Sequence, residues 1–478
     1  MVSAPMPIPF PLMRLVALLL LCLLPAGCVR VGTLQGSLPA PALTLASTQP
    51  QVSVVLTARE PTAPQVRLTW AAIDLGDGEQ WVSLLRQPRT SSSRQAATGL
   101  LLDRVQVPTG QYGRIRYQLS QAFVDQGGHE TRLTLPAQAV EYPLPHPLTL
   151  EEGDSLSLFL EWEVTASVAK APAFSPTITP RSAQLPLATE LAYVSCPEID
   201  TVYIIRTDQN RICGSWGIPG RPTYLHAVKE RNSLYVLAAD QAVIKVVELS
   251  SGRLRDRIRI PMAVKPSFMA LDQEGRNAYL LDQATDTVFR VDLGSGSLAA
   301  QGRFGERMDF AVFVEEVQLL AVSSARAQQV LLLDPLTLKV RQTVAVGSNP
   351  QGVLGYGQDL YVAEGRSNTV SVHHGNTGAS QRQTVGLGPS RLLAHGRTIF
   401  VANSVGGTIA ILSPGQLTVQ KELQVGGTPG EMALSTERNW LYVNDGQGNG
   451  VVVLDLTSHR VAARIDLQAQ PLDIAVVP

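Results

Sequence analysis

Short apolar segments recur along most of this chain, each bounded by polar or Gly-containing turns. Beyond residue 190 they follow a repeat. A Leu-Tyr-Val type of segment occurs as Ala192-Tyr193-Val194, Leu234-Tyr235-Val236, Leu360-Tyr361-Val362, Ile399-Phe400-Val401 and Leu441-Tyr442-Val443. Ala278-Tyr279-Leu280 and Leu320-Ala321-Val322 are weaker copies. The central residues of these seven copies are spaced by 42, 44, 42, 40, 39 and 42 positions. A second apolar segment follows each copy, as in Thr201–Ile205, Ala242–Val247 and Thr408–Leu412. Next comes a tight turn such as Ser250-Ser251-Gly252 or Asn376-Thr377-Gly378, then a third strand. A fourth strand opens with Pro222, Pro266, Pro350, Pro389, Pro429 or Pro471; the third-to-fourth passage reads Met308-Asp309-Phe310 instead. Four short strands per unit at a period near 40 predict a β-propeller, here with seven blades. The period and the lack of helical patterning exclude leucine-rich and helical repeats.

The repeat begins on a Tyr-Val strand, and the Pro-led segment Pro471–Val477 has no unit after it. The second can therefore supply the strand the first blade lacks, closing the ring and removing two exposed edges. The stretch 191–478 resembles the YVTN-type propeller repeat, most closely at Leu360-Tyr361-Val362 with Asn368-Thr369-Val370-Ser371-Val372, and at Ile399-Phe400-Val401-Ala402-Asn403. The resemblance implies architecture and leaves the ligand open.

Residues 51–180 also read as short strands, among them Val52–Thr57, Gln65–Trp70, Arg114–Leu119, Arg132–Leu135 and Ser155–Trp162. Turn signals at Gly76-Asp77-Gly78, Pro108-Thr109-Gly110 and Gly127-Gly128 separate them. This pattern predicts a β-sandwich. Trp81, Leu101-Leu102-Asp103 and Pro108-Thr109-Gly110-Gln111-Tyr112-Gly113-Arg114-Ile115-Arg116 resemble an uncharacterised family of bacterial lipoprotein domains with a transthyretin-like sandwich. That resemblance implies fold and no activity; Tyr112 is expected to plug one end of the sandwich. A Pro-rich stretch, 170–190, reads as a linker. The fold class is thus all-β: an N-terminal β-sandwich followed by a seven-bladed β-propeller closed by the C-terminal strand.

Upstream, Met13-Arg14 precedes an apolar run from Leu15 to Leu24. The run is too short to span a bilayer, which takes about 20 residues, and fits the apolar core of a secretory signal peptide. Leu24-Pro25-Ala26-Gly27-Cys28 resembles a bacterial lipobox, with Pro25 standing where Leu is usual. The resemblance implies cleavage of residues 1–27, lipidation of Cys28 and stable membrane anchoring through more than one acyl chain. An ordinary signal peptide and an uncleaved anchor are the alternatives, and translation could start at Met13. Residues 28–50 then form a flexible tether, and the protein is extracytoplasmic in a bacterial cell envelope. Val29, not Asp, follows the Cys, which in a Gram-negative host implies the outer membrane.

The composition removes several functions. Lys+Arg is 39 and Asp+Glu 40, a net charge of −1, which argues against broad binding to nucleic acid or anionic membrane. Aromatic residues are 5%, too few for base-stacking platforms. With Cys22 and Cys28 in the leader and lipobox, only Cys196 and Cys213 remain as thiols. They could pair, although an up-down meander puts them at opposite ends of the first blade.

Pro-led strands of propellers line the central channel, so the residues just after each Pro are the candidate ligand-facing set: Tyr224, Ser267, Gln351, Arg391, Glu431 and Asp473, with Asp309 in the unit lacking Pro. Their mix of Arg, Glu and Asp suits a polar ligand or a peptide. His226 and His395 lie on inner strands of blades one and five, where packing is the commoner role, and no metal-ligand spacing occurs among the seven His. No nucleophile elbow, P-loop or dinucleotide fingerprint appears. We therefore expect no cofactor, no metal and no catalytic residue. The leading expectation is a monomeric binding or scaffold lipoprotein whose propeller rim takes a protein, peptide or glycan. The alternative is a lactonase-like metal-dependent hydrolase or lyase with Glu431, Asp473 and Asp309 at the channel mouth. A quinone-cofactor dehydrogenase is disfavoured by only five Trp, most of them outside the repeat.

Overall fold

The computed structural model describes residues 49–58, 60, 64–78, 80–182, 189–415 and 417–477. The signal segment 1–27, Cys28 and the tether up to residue 48 lie outside the described residues.

Two sheets pack face to face in the N-terminal part. One runs Ile178–Ser182, Ser155–Trp162, Gln51–Ala58, Leu100–Gln106 in spatial order. The other is built on Gln65–Gly76 and the long strand Gly110–Gln126, with Trp81–Ser83 and Arg89–Ser92 beside the first and His129–Arg132 and Val140–Leu150 beside the second. Along Gln65–Gly76, Val66, Leu68, Trp70, Ile73 and Leu75 point inward, with the strand bulging on either side of Trp70 to keep that face apolar. Trp70, Tyr117 and Trp162 fill the core. Tyr112 closes one end, its hydroxyl donating to Pro108 O at 3.0 Å, as the turn sequence predicts. Gly127-Gly128, both at positive φ, make the two-residue hairpin that their sequence announces. The Pro-rich stretch is not all linker: Ile178–Ser182 is an edge strand on Ser155–Trp162. Pro180 is tolerated there because an edge strand leaves one side of its backbone unpaired.

Seven four-stranded antiparallel sheets follow. Blade one combines Leu191–Cys196, Thr201–Arg206 and Arg211–Gly217 with the C-terminal strand Ile474–Val477. Blades two to seven start at Pro222, Pro266, Phe310, Pro350, Pro389 and Pro429. Each Pro-led strand thus opens the sheet that follows its repeat, so His226 belongs to blade two and His395 to blade six. The Tyr-Val strands are covered on both faces by neighbouring blades. That is why Leu191–Cys196 and Ser233–Ala238 are buried at every position and read as continuous apolar runs. Burying each Val or Leu there is worth about 1.5–3 kcal/mol. Outer strands such as Ser297–Arg303 alternate exposed and half-buried instead.

The two parts are packed together. Val55 and Phe159 of the sandwich join a core cluster with Cys196, Tyr203 and Ile212 of blade one. Ser157 Oγ accepts from Ser215 N at 2.9 Å and Ile212 N donates to Thr98 O at 2.9 Å. The sandwich therefore covers the outermost strand of blade one, an edge that would otherwise be open to association.

Candidate functional site

Two sets of loops rise on one face of the ring: those leading into each inner strand and those joining its second and third strands. The inner strands share a local device. In blades two, three, five, six and seven the pairing register shifts immediately after the opening Pro. Blade four, which lacks the Pro, has no such shift. A bulge turns a side chain away from the ladder, here toward the axis, and the missing N–H of a strand-initial Pro leaves no donor stranded. Thr223, Ser267 and Ser390 in these bulges donate their hydroxyls to carbonyls of the adjoining strand, at 3.2–3.3 Å.

The result is a cavity of about 890 Å³ at the channel mouth. Tyr224, Ser267, Asp309, Gln351 and Arg391 all line it, one from each of blades two to six. Glu431 is not in the lining; it sits beside Arg391 and accepts from its Nε. Asp473 departs from expectation. It is buried, with Oδ2 accepting from Leu225 N and Oδ1 from Ile474 N, both at 2.8 Å. Its carboxylate is spent on holding the closing strand, so it is a structural group.

Arg391 organises the floor. Its Nη1 donates to Ser390 O at 2.8 Å and Gln351 O at 3.2 Å, and its guanidinium lies 5.1 Å from the Phe310 ring centroid. Tyr224, Phe268 and Phe310 pack in series with tilted rings, their centroids 4.2 and 4.7 Å apart. Burial alone would lower the Arg391 pKa, but Glu431 and Tyr224 raise it above the ordinary arginine value. Burial likewise raises the Tyr224 phenol, which stays protonated.

The wall differs from the mixed rim read from the post-Pro residues. Arg221, Lys265, Arg307, Arg326 and Arg366 join Arg391, against only Asp240 and Asp309. Asp309 is already engaged, by Arg307 Nε at 2.8 Å and Ala325 N at 2.8 Å. The side chains of Arg221, Lys265, Arg326 and Arg366 form no ion pair among the described residues. A sequence signal for them existed. Arg221 and Lys265 immediately precede their Pro, and Asp240, Arg326 and Arg366 each fall five positions after the centre of their Tyr-Val segment.

The remaining candidates lie elsewhere. His226 is held by Met269 O at 3.2 Å, and its burial lowers its pKa. His395 and His459 line a separate groove with Lys421. His373 contacts Ser371 and His374 contacts Asp359, the opposite orientations that strand alternation requires. Cys196 and Cys213 are free thiols, with burial pushing Cys213 up to about 12. Among the described residues no three His, Cys, Asp or Glu side chains are grouped to hold a metal ion. Six cations around the mouth would oppose a divalent cation in any case.

No family model and no curated protein matches the chain. Solved structures do. A functionally unknown protein from Desulfotomaculum acetoxidans is 12% identical with a TM-score of 0.53, covering 60% of this chain and 98% of its own. A protein from Lactobacillus plantarum is 14% identical with a TM-score of 0.52, covering 61% and 99%. A putative 6-phosphogluconolactonase from Bacteroides fragilis is 15% identical with a TM-score of 0.51, covering 61% and 100%. Likeness at this level concerns the fold alone, and the fold in common is the β-propeller.

Proposed function

We propose that the protein is an extracytoplasmic binding or scaffold lipoprotein of the bacterial envelope, anchored through Cys28, that holds its ligand at the propeller mouth. The observation that carries this reading is the convergence of Tyr224, Ser267, Asp309, Gln351 and Arg391, from five successive blades, on one cavity of about 890 Å³. That volume lies within the usual range of ligand sites, roughly 300–1,000 Å³. The sandwich spaces the propeller from its anchor and braces blade one. A metal-dependent hydrolase draws no support from the mouth, where Glu431 is paired with Arg391 and Asp473 with backbone N–H groups.

The test has two parts. Cys28→Ser is expected to move the protein out of the membrane fraction. A photo-crosslinking residue in place of Gln351, in the native envelope, is expected to capture a ligand that the same residue in place of Glu230, on the opposite face, does not. Equal capture from both faces would remove the mouth as the binding site.

A further inference from the structure

The mouth face carries a second pattern besides its cations. Among the described large apolar side chains, five are more than half exposed: Val405 at 75%, Val264 at 67%, Met262 at 62%, Leu336 at 61% and Leu387 at 56%. Leu336 lies on the opposite face, in the turn between the last two strands of blade four. The other four stand on mouth-face loops. Met262 and Val264 lead into Pro266 of blade three, next to Lys265. Leu387 leads into Pro389 of blade six, and Val405 lies in the neighbouring loop of the same blade. Blades three and six lie on opposite sides of a seven-membered ring. The cationic well is thus flanked by two pairs of solvated apolar side chains.

A cavity that took only a small, fully charged molecule would gain nothing from apolar knobs outside it. Paired exposed apolar side chains around a charged cavity suit a ligand that is itself partly apolar and large enough to reach past the rim. The charge is also concentrated. The whole chain is balanced at −1, yet six cations and two acids line this one cavity. Arg is suited to carboxylate because its planar fork can form two parallel hydrogen bonds.

We infer that the mouth docks an acidic peptide segment of a partner protein. Its carboxylates enter the well against Arg221, Lys265, Arg326 and Arg366, and its apolar side chains rest on the Met262–Val264 and Leu387–Val405 knobs. The inference rests on the mouth being the binding face. It adds the chemistry of what binds there.

The probe is a short fluorescein-labelled peptide alternating Glu and Leu, followed by anisotropy with the full-length protein. Gln-for-Glu and Ser-for-Leu versions and citrate serve as comparisons. Arg326→Glu with Arg366→Glu, both exposed and unpaired, is expected to weaken the Glu-Leu peptide at least about tenfold. Val264→Ser with Val405→Ser is expected to weaken it several-fold while leaving its salt dependence in place. The Gln version should bind weakly, and the Ser version should lose its sensitivity to Val264→Ser and Val405→Ser. Citrate binding as tightly as the peptide would replace the inference with a small-anion site. A Gln peptide binding as well as the Glu peptide, still blocked by bulky substitution of Gln351, would overturn the acidic chemistry and leave the mouth as the binding face. Binding of neither peptide would overturn the inference, and the crosslinking experiment at Gln351 decides separately whether the mouth binds anything.

Discussion

The Asp473 carboxylate accepts the backbone N–H of Leu225 at 2.8 Å, joining residues 248 positions apart. The same aspartate accepts from Ile474 N, and its own N–H donates to Ser195 Oγ at 3.0 Å. One residue therefore ties the closing strand to blade two through its side chain and to Leu191–Cys196 of blade one through its backbone N–H. Asp473→Ala would leave two buried N–H groups without partners, at a cost of about 1–3 kcal/mol each. We expect a clear fall in Tm, with Ser267→Ala, whose hydroxyl bonds at the cavity wall, changing it little. Deleting residues 471–478 strips Leu191–Cys196 of one of its two strand partners, leaving Thr201–Arg206 alone, and should destabilise the whole propeller. An unchanged melting temperature after that deletion would refute closure by this strand.

Docking of the sandwich on blade one should be separable from the folding of either part. Gly99 has φ +94°, and a Cβ there would lie 2.9 Å from Ile212 Cβ. Gly99→Ala thus meets backbone strain and a clash at once, while Ser157→Ala removes the acceptor of Ser215 N. Each is expected to cost about 1–3 kcal/mol. Calorimetry should show the loss as divergence of sandwich and propeller unfolding into two steps. A single transition at the wild-type temperature in both variants would mean the interface contributes nothing.

The ring was legible because covered strands must read as apolar runs, and Tyr361-Val362 or Tyr442-Val443 can be counted along the chain. The closing strand followed from the same count. The post-Pro residues were informative because a bulge re-aims them, as at Ser267 and Gln351. Asp473 stands at the same offset from its Pro as Arg391, two residues on, but turns to the neighbouring blade, where its carboxylate accepts from Leu225 N. The cations escaped notice because Arg221, Arg326 and Arg366 belong to three different blades. Only the closed ring gathers them, and their loops carry no apolar period to draw attention. The docking of Ser157 on Ser215 left no sequence trace, because two serines facing each other across an interface look like any polar positions.

Lys245 supplies a pH test. It is buried in blade two, and burial, with Arg257 adding, pushes its pKa down to about 8 from 10.5. Below pH 8 the folded protein carries the buried charge at full cost. Between about 8 and 10.5 the folded state has released a proton that the unfolded chain still holds, so this group's contribution to stability rises with pH. Lys245→Met removes that contribution. Wild-type stability measured by urea denaturation should therefore gain on the variant across that window and stay parallel to it from pH 6 to 7. Parallel curves throughout would show that Lys245 keeps its ordinary basicity.

The floor of the mouth depends on the pairing of Arg391 with Glu431, both mostly shielded, with side chains 21% and 17% exposed. Removing one partner of a buried pair strands the other and costs about 3–5 kcal/mol, whereas replacing both with apolar groups of similar size is often neutral. Arg391→Met alone would leave the largely shielded Glu431 without a counter-charge. Glu431→Met alone would leave Arg391 without a carboxylate partner, held by the carbonyls of Ser390 and Gln351, by Tyr224 and by the Phe310 ring. Each single variant is expected to lower Tm sharply, and the double variant to recover most of the loss. The double variant also distinguishes the pair's two roles. If Arg391 serves only to brace the floor, mouth-ligand capture returns together with stability. If its charge also meets the ligand, stability returns while binding stays reduced, because the five remaining cations of the wall then lack the one at its base.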